Sequence, residues 1–284
     1  MDFPTRLNQI VTQVDSVLIV DNHSSNDSVS ILEDLSKHSN IHLIKNESNL
    51  GVATALNQAV EWAQKQGYAW LLTLDQDTIP YPYLIEKLIT CLKEFDGAGE
   101  VAIIGANYFN RFFGDININL DGCGDGSCIE AASVITSGSL LSLSAAQNIG
   151  RFRDDYFIDH VDDEYCLRAR LKGYKILLTR EALMEHVICA PIRRKILWKR
   201  LSSPNAPAFR RYYQARNHIA LIKEYYRNEP KWVRESIRIR IKEFLLILLL
   251  EDGKFGKMRQ IFQGVIDGIL GKMGPKRNSD HKMG

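Results

Sequence analysis

A chain of 284 residues that is 45% hydrophobic and 25% charged has material for one large core, or for a core domain with an appendage. That excludes a disordered chain and a disulfide-stapled miniprotein. Lys and Arg number 36 against 34 Asp and Glu, and the formal charge of +2 is too small for a polyanion-coating protein, so no nucleic-acid partner is expected.

The polar start, Met-Asp-Phe-Pro-Thr-Arg, lacks a signal-peptide pattern. Apolar runs then alternate with helical periodicity: 16–20, 41–45, 69–74 and 101–107 read as strands, and 29–37, 51–66 and 83–95 as helices. This alternation predicts an α/β fold, a mostly parallel sheet with helices on both faces. Ligands of such sheets lie beyond the carboxyl ends of the strands. Asp21 closes the first strand and Asp75 and Asp77 follow the third, so all three belong to one crevice. Two carboxylates one residue apart at the mouth of a core strand repel each other and resist desolvation. A divalent metal carrying a phosphorylated ligand answers both costs; the alternative is a solvated strand end. The loop 21–27 and the turn Asn49-Leu50-Gly51 each open a helix, and either cradle a nucleotide or serve as caps and turns.

Residues 115–126 are rich in Gly, Asn and Asp and read as a loop, after which apolar patterning resumes at 132–136 and 140–143. Cys91, Cys123, Cys128, Cys166 and Cys189 are odd in number and scattered, which fits unpaired thiols in a reducing, cytoplasmic compartment. Asp159, Asp162, Asp163 and Glu164 precede an amphipathic helix in which Arg168 lies one turn after Glu164, ready to pair with it. Acids at a helix start complement its dipole, which covers Asp163 and Glu164 but not the two upstream. An unpaired carboxylate here is what a general base requires. After 191 come a basic stretch, a linker at 202–207 and three long helices at 208–227, 231–250 and 254–270. In the second of these, Trp232, Ile237, Ile241, Phe244, Leu245 and Leu248 recur at helical spacing, with Arg234, Arg238 and Lys242 on another face. Such a helix either lies in an anionic membrane surface or packs on the protein body or a second subunit. Its apolar run, 244–250, is too short to span a bilayer.

Six motifs occur in a fixed order: Val-Asp-Asn-His-Ser-Ser-Asn-Asp from Val20; Asn49-Leu50-Gly51 followed by Asn57; Leu-Asp-Gln-Asp-Thr-Ile-Pro from Leu74; Thr-Ser-Gly-Ser from Thr136; Phe-Ile-Asp-His-Val-Asp-Asp-Glu-Tyr-Cys-Leu-Arg from Phe157; and Tyr-Tyr-Gln-Ala-Arg-Asn from Tyr212. Together they resemble glycosyltransferase family 2, and within it bacterial rhamnosyltransferases. The resemblance implies an inverting enzyme with a GT-A catalytic domain over 1–200, its nucleotide-sugar half at 1–110 and its acceptor half at 111–200, and a helical C-terminal region at 208–284. It implies that Asp21 meets the base or ribose, Asp75 the ribose and phosphates, and Asp77 an Mg²⁺ or Mn²⁺ ion. Asn49 and Gly51 fall with the nucleotide-binding residues. Asp162 aligns with the catalytic base and Glu164 with its companion acid. His186 matches a residue that helps bind metal or diphosphate, or is structural; Arg216 and Asn217 meet the diphosphate or acceptor, or pack helices. The implied donor is dTDP-L-rhamnose and the implied acceptor a bacterial polysaccharide or a lipid-linked saccharide, with the enzyme either cytoplasmic or peripheral at the inner face of the plasma membrane. Family members begin with a strand of the type Val-Val-Val-Thr-Tyr-Asn, whereas this sequence opens beyond it. Exposed apolar edges and weaker donor binding are therefore expected. Competing readings are a UDP-sugar donor, an inactive binding or assembly module, and a metal-dependent phosphohydrolase, which leaves the Asp162 region idle.

Overall fold

The computed structural model describes residues 2–120, 126–187, 191–196 and 198–276. Asp2 caps the first helix, α1 (Phe3–Val11), by accepting from the Thr5 N–H at 3.0 Å, and Pro4 sits in its first turn, where a missing N–H costs nothing. The α/β alternation follows: β1 (Val17–Asp21), α2 (Asn26–Leu35), β2 (Ile41–Lys45), α3 (Val52–Lys65), β3 (Trp70–Thr73), β4 (Ile79–Pro80), α4 (Leu84–Glu94) and β5 (Val101–Asn110). The middle of the chain adds β6 (Asp115–Ile116), β7 (Cys128–Glu130), β8 (Ser139–Ser142), α5 (Leu143–Ile149), α6 (Val161–Leu171) and β9 (Lys175–Glu185). A hairpin, β10 (Ile192–Ile196) and β11 (Lys199–Ser203), leads to α7 (Ala208–Tyr225), α8 (Pro230–Leu250) and α9 (Lys254–Leu270).

The main sheet has the order β3-β8-β5-β9-β4, with β6 on β5 and β7 on β9. β5 and β9 are parallel, and β8 runs against both β3 and β5, so β3, β5 and β9 share one direction. β1 and β2 form a separate parallel pair. Among the described residues β1 and β3 do not pair with each other, and both are only half-buried.

Period-two alternation places the core on both faces of the main sheet. Ile103, Leu141, Ile176 and Leu178 face a cluster with α3, α5 and α6, while Ile104, Leu140, Leu177 and Met184 face one with α1 and α4. A strand sandwiched this way has no polar face, which is why the first eight residues of β5 are all buried.

Three expectations change. The 132–136 run is not a strand; β7 precedes it and crosses back antiparallel on β9. That crossing brings Cys128 beside α4, where it is paired in a disulfide with Cys91, Cα to Cα 5.6 Å, so these two thiols are not free as expected. Cys166 is a buried thiol, and Cys123 and Cys189 lie outside the described residues. The basic stretch after 191 forms the β10–β11 hairpin and uses part of the expected linker.

Candidate active site

Two segments build the site. The first is the exit of β3. Ser137 accepts from the Asp75 N–H at 3.0 Å and bonds the Thr78 hydroxyl at 2.6 Å, and Thr78 bonds His186 Nδ1 at 2.9 Å. This chain of short polar bonds turns the strand end and aims the buried His186 ring, itself edge-on to Tyr108, at the two carboxylates. His186 Nε2 lies 3.8 Å from Asp75 Oδ2, and Nδ1 lies 3.8 Å from Asp77 Oδ1. The ligand atoms of Asp75, Asp77 and His186 fall within 4.8 Å of one another. Partial burial pushes the Asp75 carboxyl up; the His186 charge opposes this and the Asp77 charge adds to it. Two half-exposed carboxylates and an imidazole are a donor set that suits a divalent ion, so the residues fit the group the sequence implied.

The second segment precedes α6. Phe157, Asp159 and His160 all have positive φ, 62–63°, a conformation that L residues adopt only under constraint. The constraint comes from α7. Asn217 Nδ2 donates to the carbonyls of Tyr156, Ile158 and Asp159 at 2.8–3.0 Å, and Arg216 donates to those of Asp155 and Tyr156. Arg210 pairs with the Asp159 carboxylate at 2.5 Å, and its charge also acts on Asp75, so this residue links the two segments.

At the start of α6, Asp162 Oδ1 accepts from the Asp163 N–H at 2.9 Å. Burial first, and the Asp163 charge second, push the Asp162 carboxyl up to about 7. Burial works against Asp163 as well, but bonds from His160 at 2.7 Å and Ser133 at 2.8 Å hold it below the usual carboxylate range. The paired environments therefore separate the two neighbours into a permanent anion and a group poised near neutrality. Asp162 lines a small cavity with Thr73 at the end of β3 and Thr136.

Asp21 is buried at the end of β1 and accepts from the Ser24 N–H at 3.2 Å. Its neighbour Asn22 donates to the Gly51 carbonyl at 3.1 Å, and Asn49 accepts from the Gly51 N–H at 3.0 Å. Gly51, φ +87°, approaches Phe157 so closely that a Cβ there would lie 2.5 Å from its carbonyl oxygen. The expected nucleotide turn thus abuts the segment bearing Asp162. Glu164 is fully buried in a bidentate pair with Arg168, at 2.8 and 2.9 Å, and accepts from Tyr225 OH, so it serves the helix and leaves Asp162 the open acid. Arg216 is 1% exposed, its guanidinium bonded to Asn217 and to loop and tail carbonyls. This geometry favours the helix-packing role for Arg216. Sequence reading assigned no role to Thr78, Ser137 and His160, though they lie within its motifs, or to Arg210; the partners of Thr78, Ser137 and Arg210 are distant in sequence and leave no spacing signal.

An α/β fold with a carboxylate–imidazole cluster at the strand ends, and a raised carboxyl at the start of α6, is an arrangement of the GT-A type. The family model described as glycosyl transferase family 2 matches residues 4–119. Over 286 aligned residues it is 25% identical to the dTDP-rhamnosyl transferase RfbF of Shigella flexneri, covering 95% of this chain and 93% of that protein. Among solved structures it resembles S. aureus TarS 1–349 in complex with UDP, at a TM-score of 0.52 and 13% identity over 98% of this chain and 90% of that one. It also resembles GalNAc-T7 with UDP, GalNAc and Mn²⁺, at 0.56 and 8% identity, covering 80% of this chain but only 46% of that one. At such identities the structural likenesses show the fold alone.

Proposed function

We propose that the chain is an inverting rhamnosyltransferase that moves L-rhamnose from dTDP-L-rhamnose to a hydroxyl of a bacterial saccharide, lipid-linked at the inner membrane face. The observation that carries the reading is Asp162: a carboxyl raised to about 7, at a helix start held by the α7 clamp, lining a cavity with the exit of β3. In this reading Asp162 accepts the proton of the acceptor hydroxyl as its oxygen bonds the anomeric carbon and the bond to the diphosphate breaks. The diphosphate leaves with the electron pair. Asp77 and His186, with Asp75, would hold a divalent ion, whose positive charge would offset that of the leaving diphosphate. Asp21, Asn49 and Gly51 supply the base and ribose side. The rhamnosyl donor rests on the similarity to RfbF along nearly the whole chain.

Incubating the protein with dTDP-L-rhamnose, Mn²⁺ and a lipid-linked saccharide, and following dTDP release, tests the activity. A panel with UDP-glucose, UDP-galactose and UDP-N-acetylglucosamine separates the donor readings. Calorimetry of dTDP with and without Mn²⁺ separates a working enzyme from an inactive module, which shows no metal-dependent binding.

A further inference from the structure

α9 packs on α7 through Gly264 and Gly268, whose missing side chains let the helices touch: a Cβ at either would meet α7 backbone oxygens at 2.3 and 2.7 Å. The opposite face is left bare. Phe255 is 87% exposed, and Phe262 and Ile266 continue its stripe. On α8, Val233, Ile247 and Leu250 are buried, whereas Ile241, Leu245 and Leu249 are exposed. The exposed face of α8 is basic in its first half, with Arg234, Arg238 and Lys242, and apolar in its second. The apolar stripe and the basic residues were expected on different faces; the structure puts part of each on the same one. The β10–β11 hairpin, packed beside α8, presents Trp198 at its tip, 77% exposed, flanked by exposed Arg194, Lys195 and Arg200.

These elements meet at one corner. Arg194 bonds Asp252 in the α8–α9 turn at 2.8 Å, and Lys254 donates to the Leu248 carbonyl at 2.6 Å, so the hairpin, Leu249 and Phe255 converge. No helix among the described residues is long and apolar enough to cross a membrane.

We propose that this corner, formed by the β10–β11 tip, the α8–α9 turn and the exposed stripes of α8 and α9, docks on the surface of an anionic phospholipid bilayer. An indole and phenyl rings among cations match the headgroup boundary, where aromatic rings sit at the interface and Lys and Arg meet lipid phosphates. Charge argues against the other occupant, a second copy of this chain. A two-fold contact sets like patches face to face, and this one carries Arg234, Arg238, Lys242, Lys254 and Arg259 against Glu235 and the already paired Asp252. Lipid phosphate offers those cations partners that their own copies do not.

The test is flotation of the full chain with vesicles of phosphatidylglycerol and phosphatidylcholine, against pure phosphatidylcholine, at low and high salt. Wild type floats with the anionic vesicles and is released by high salt. R234E/R238E and F255E/L249E each stay in solution with an unchanged melting temperature and unchanged dTDP binding, and each cation removed lowers partitioning roughly five-fold. Bromolipid quenching of tryptophan emission is present in wild type and reduced in W198F. Failure to float at low salt, or equal flotation with neutral vesicles, overturns the proposal. So does a concentration-dependent dimer that F255E dissolves, which assigns the face to self-association. Since dTDP binding is read separately, failure here leaves the catalytic reading untouched.

Discussion

Asp162 and Asp163 are adjacent acids with opposite fates, and the difference lies in their partners. Asp163 has His160 and Ser133; Asp162 has one backbone N–H. A base pushed up to about 7 is protonated at low pH, so kcat/KM for transfer is expected to rise with an acid limb near pH 7. Stability runs the other way. Because the folded carboxyl sits above its ordinary 3.8, its favourable contribution is complete below about pH 4 and is lost as pH climbs through 7. Asp162→Asn should therefore lower transfer by roughly 10²–10⁴-fold, keep dTDP affinity, and melt higher than wild type at pH 8 but not at pH 4. Transfer above a tenth of wild type would remove Asp162 from the role of base. At the other segment, Asp77→Ala deletes a carboxylate whose oxygen lies 3.8 Å from His186. Calorimetry should find dTDP binding no longer stimulated by Mn²⁺, and EDTA should reproduce the effect with wild type; tight Mn²⁺-dependent binding to the variant would reassign the ion.

Among the elements, the Asn49–Gly51 turn carries the sharpest prediction. Gly51 combines φ +87° with the contact to Phe157, so Gly51→Ala is strained in its backbone and overpacked at once. A cost of about 2 kcal/mol lowers the melting temperature by roughly 4–8 °C, and displacing the Phe157 segment should reduce transfer more than dTDP binding. A melting temperature within one degree of wild type, measured by calorimetry, would show that the turn relaxes freely. The turn was legible in the sequence because Asn-x-Gly before a helix is a local signal, and so were the strands and helices, whose periodicity needs no partner. Asp75 and Asp77 were legible for the same reason: their charge conflicts with the apolar strand before them. The segment 157–160, with its positive φ at Phe157, Asp159 and His160, was not, because no glycine marks it. Its conformation is imposed by Asn217 from sixty residues away, and long-range hydrogen bonds leave no trace in spacing. The same holds for the Cys91–Cys128 pair, which depends on where β7 crosses.

Over the whole molecule, cohesion is uneven. β5, β8 and β9 are paired on both edges and covered on both faces, while β1 and β2 hold to each other by one ladder and are half-buried. Amide exchange should report this, with β5 and β9 protected close to the global limit and β1–β2 opening at lower free energy. Equal protection in both sheets would mean that side-chain packing alone fastens the pair. A donor nucleotide contacting Asp21 and Gly51 should narrow the difference, and dTDP with Mn²⁺ is the ligand to add.

The clamp of α7 has a consequence for how this protein can be recombined with its relatives. One face of the helix grips carbonyls 155–159 through Arg216 and Asn217, another seats Gly264 and Gly268, and the Gly274 N–H returns to the Asp155 carbonyl at 2.7 Å. A chimera with its crossover between 171 and 208 would exchange the helices while leaving their loop behind, and would orphan the donors that hold it. The seam that respects these bonds lies ahead of residue 153, so the segment bearing Asp162 and the helices at the chain's end travel as a single cassette.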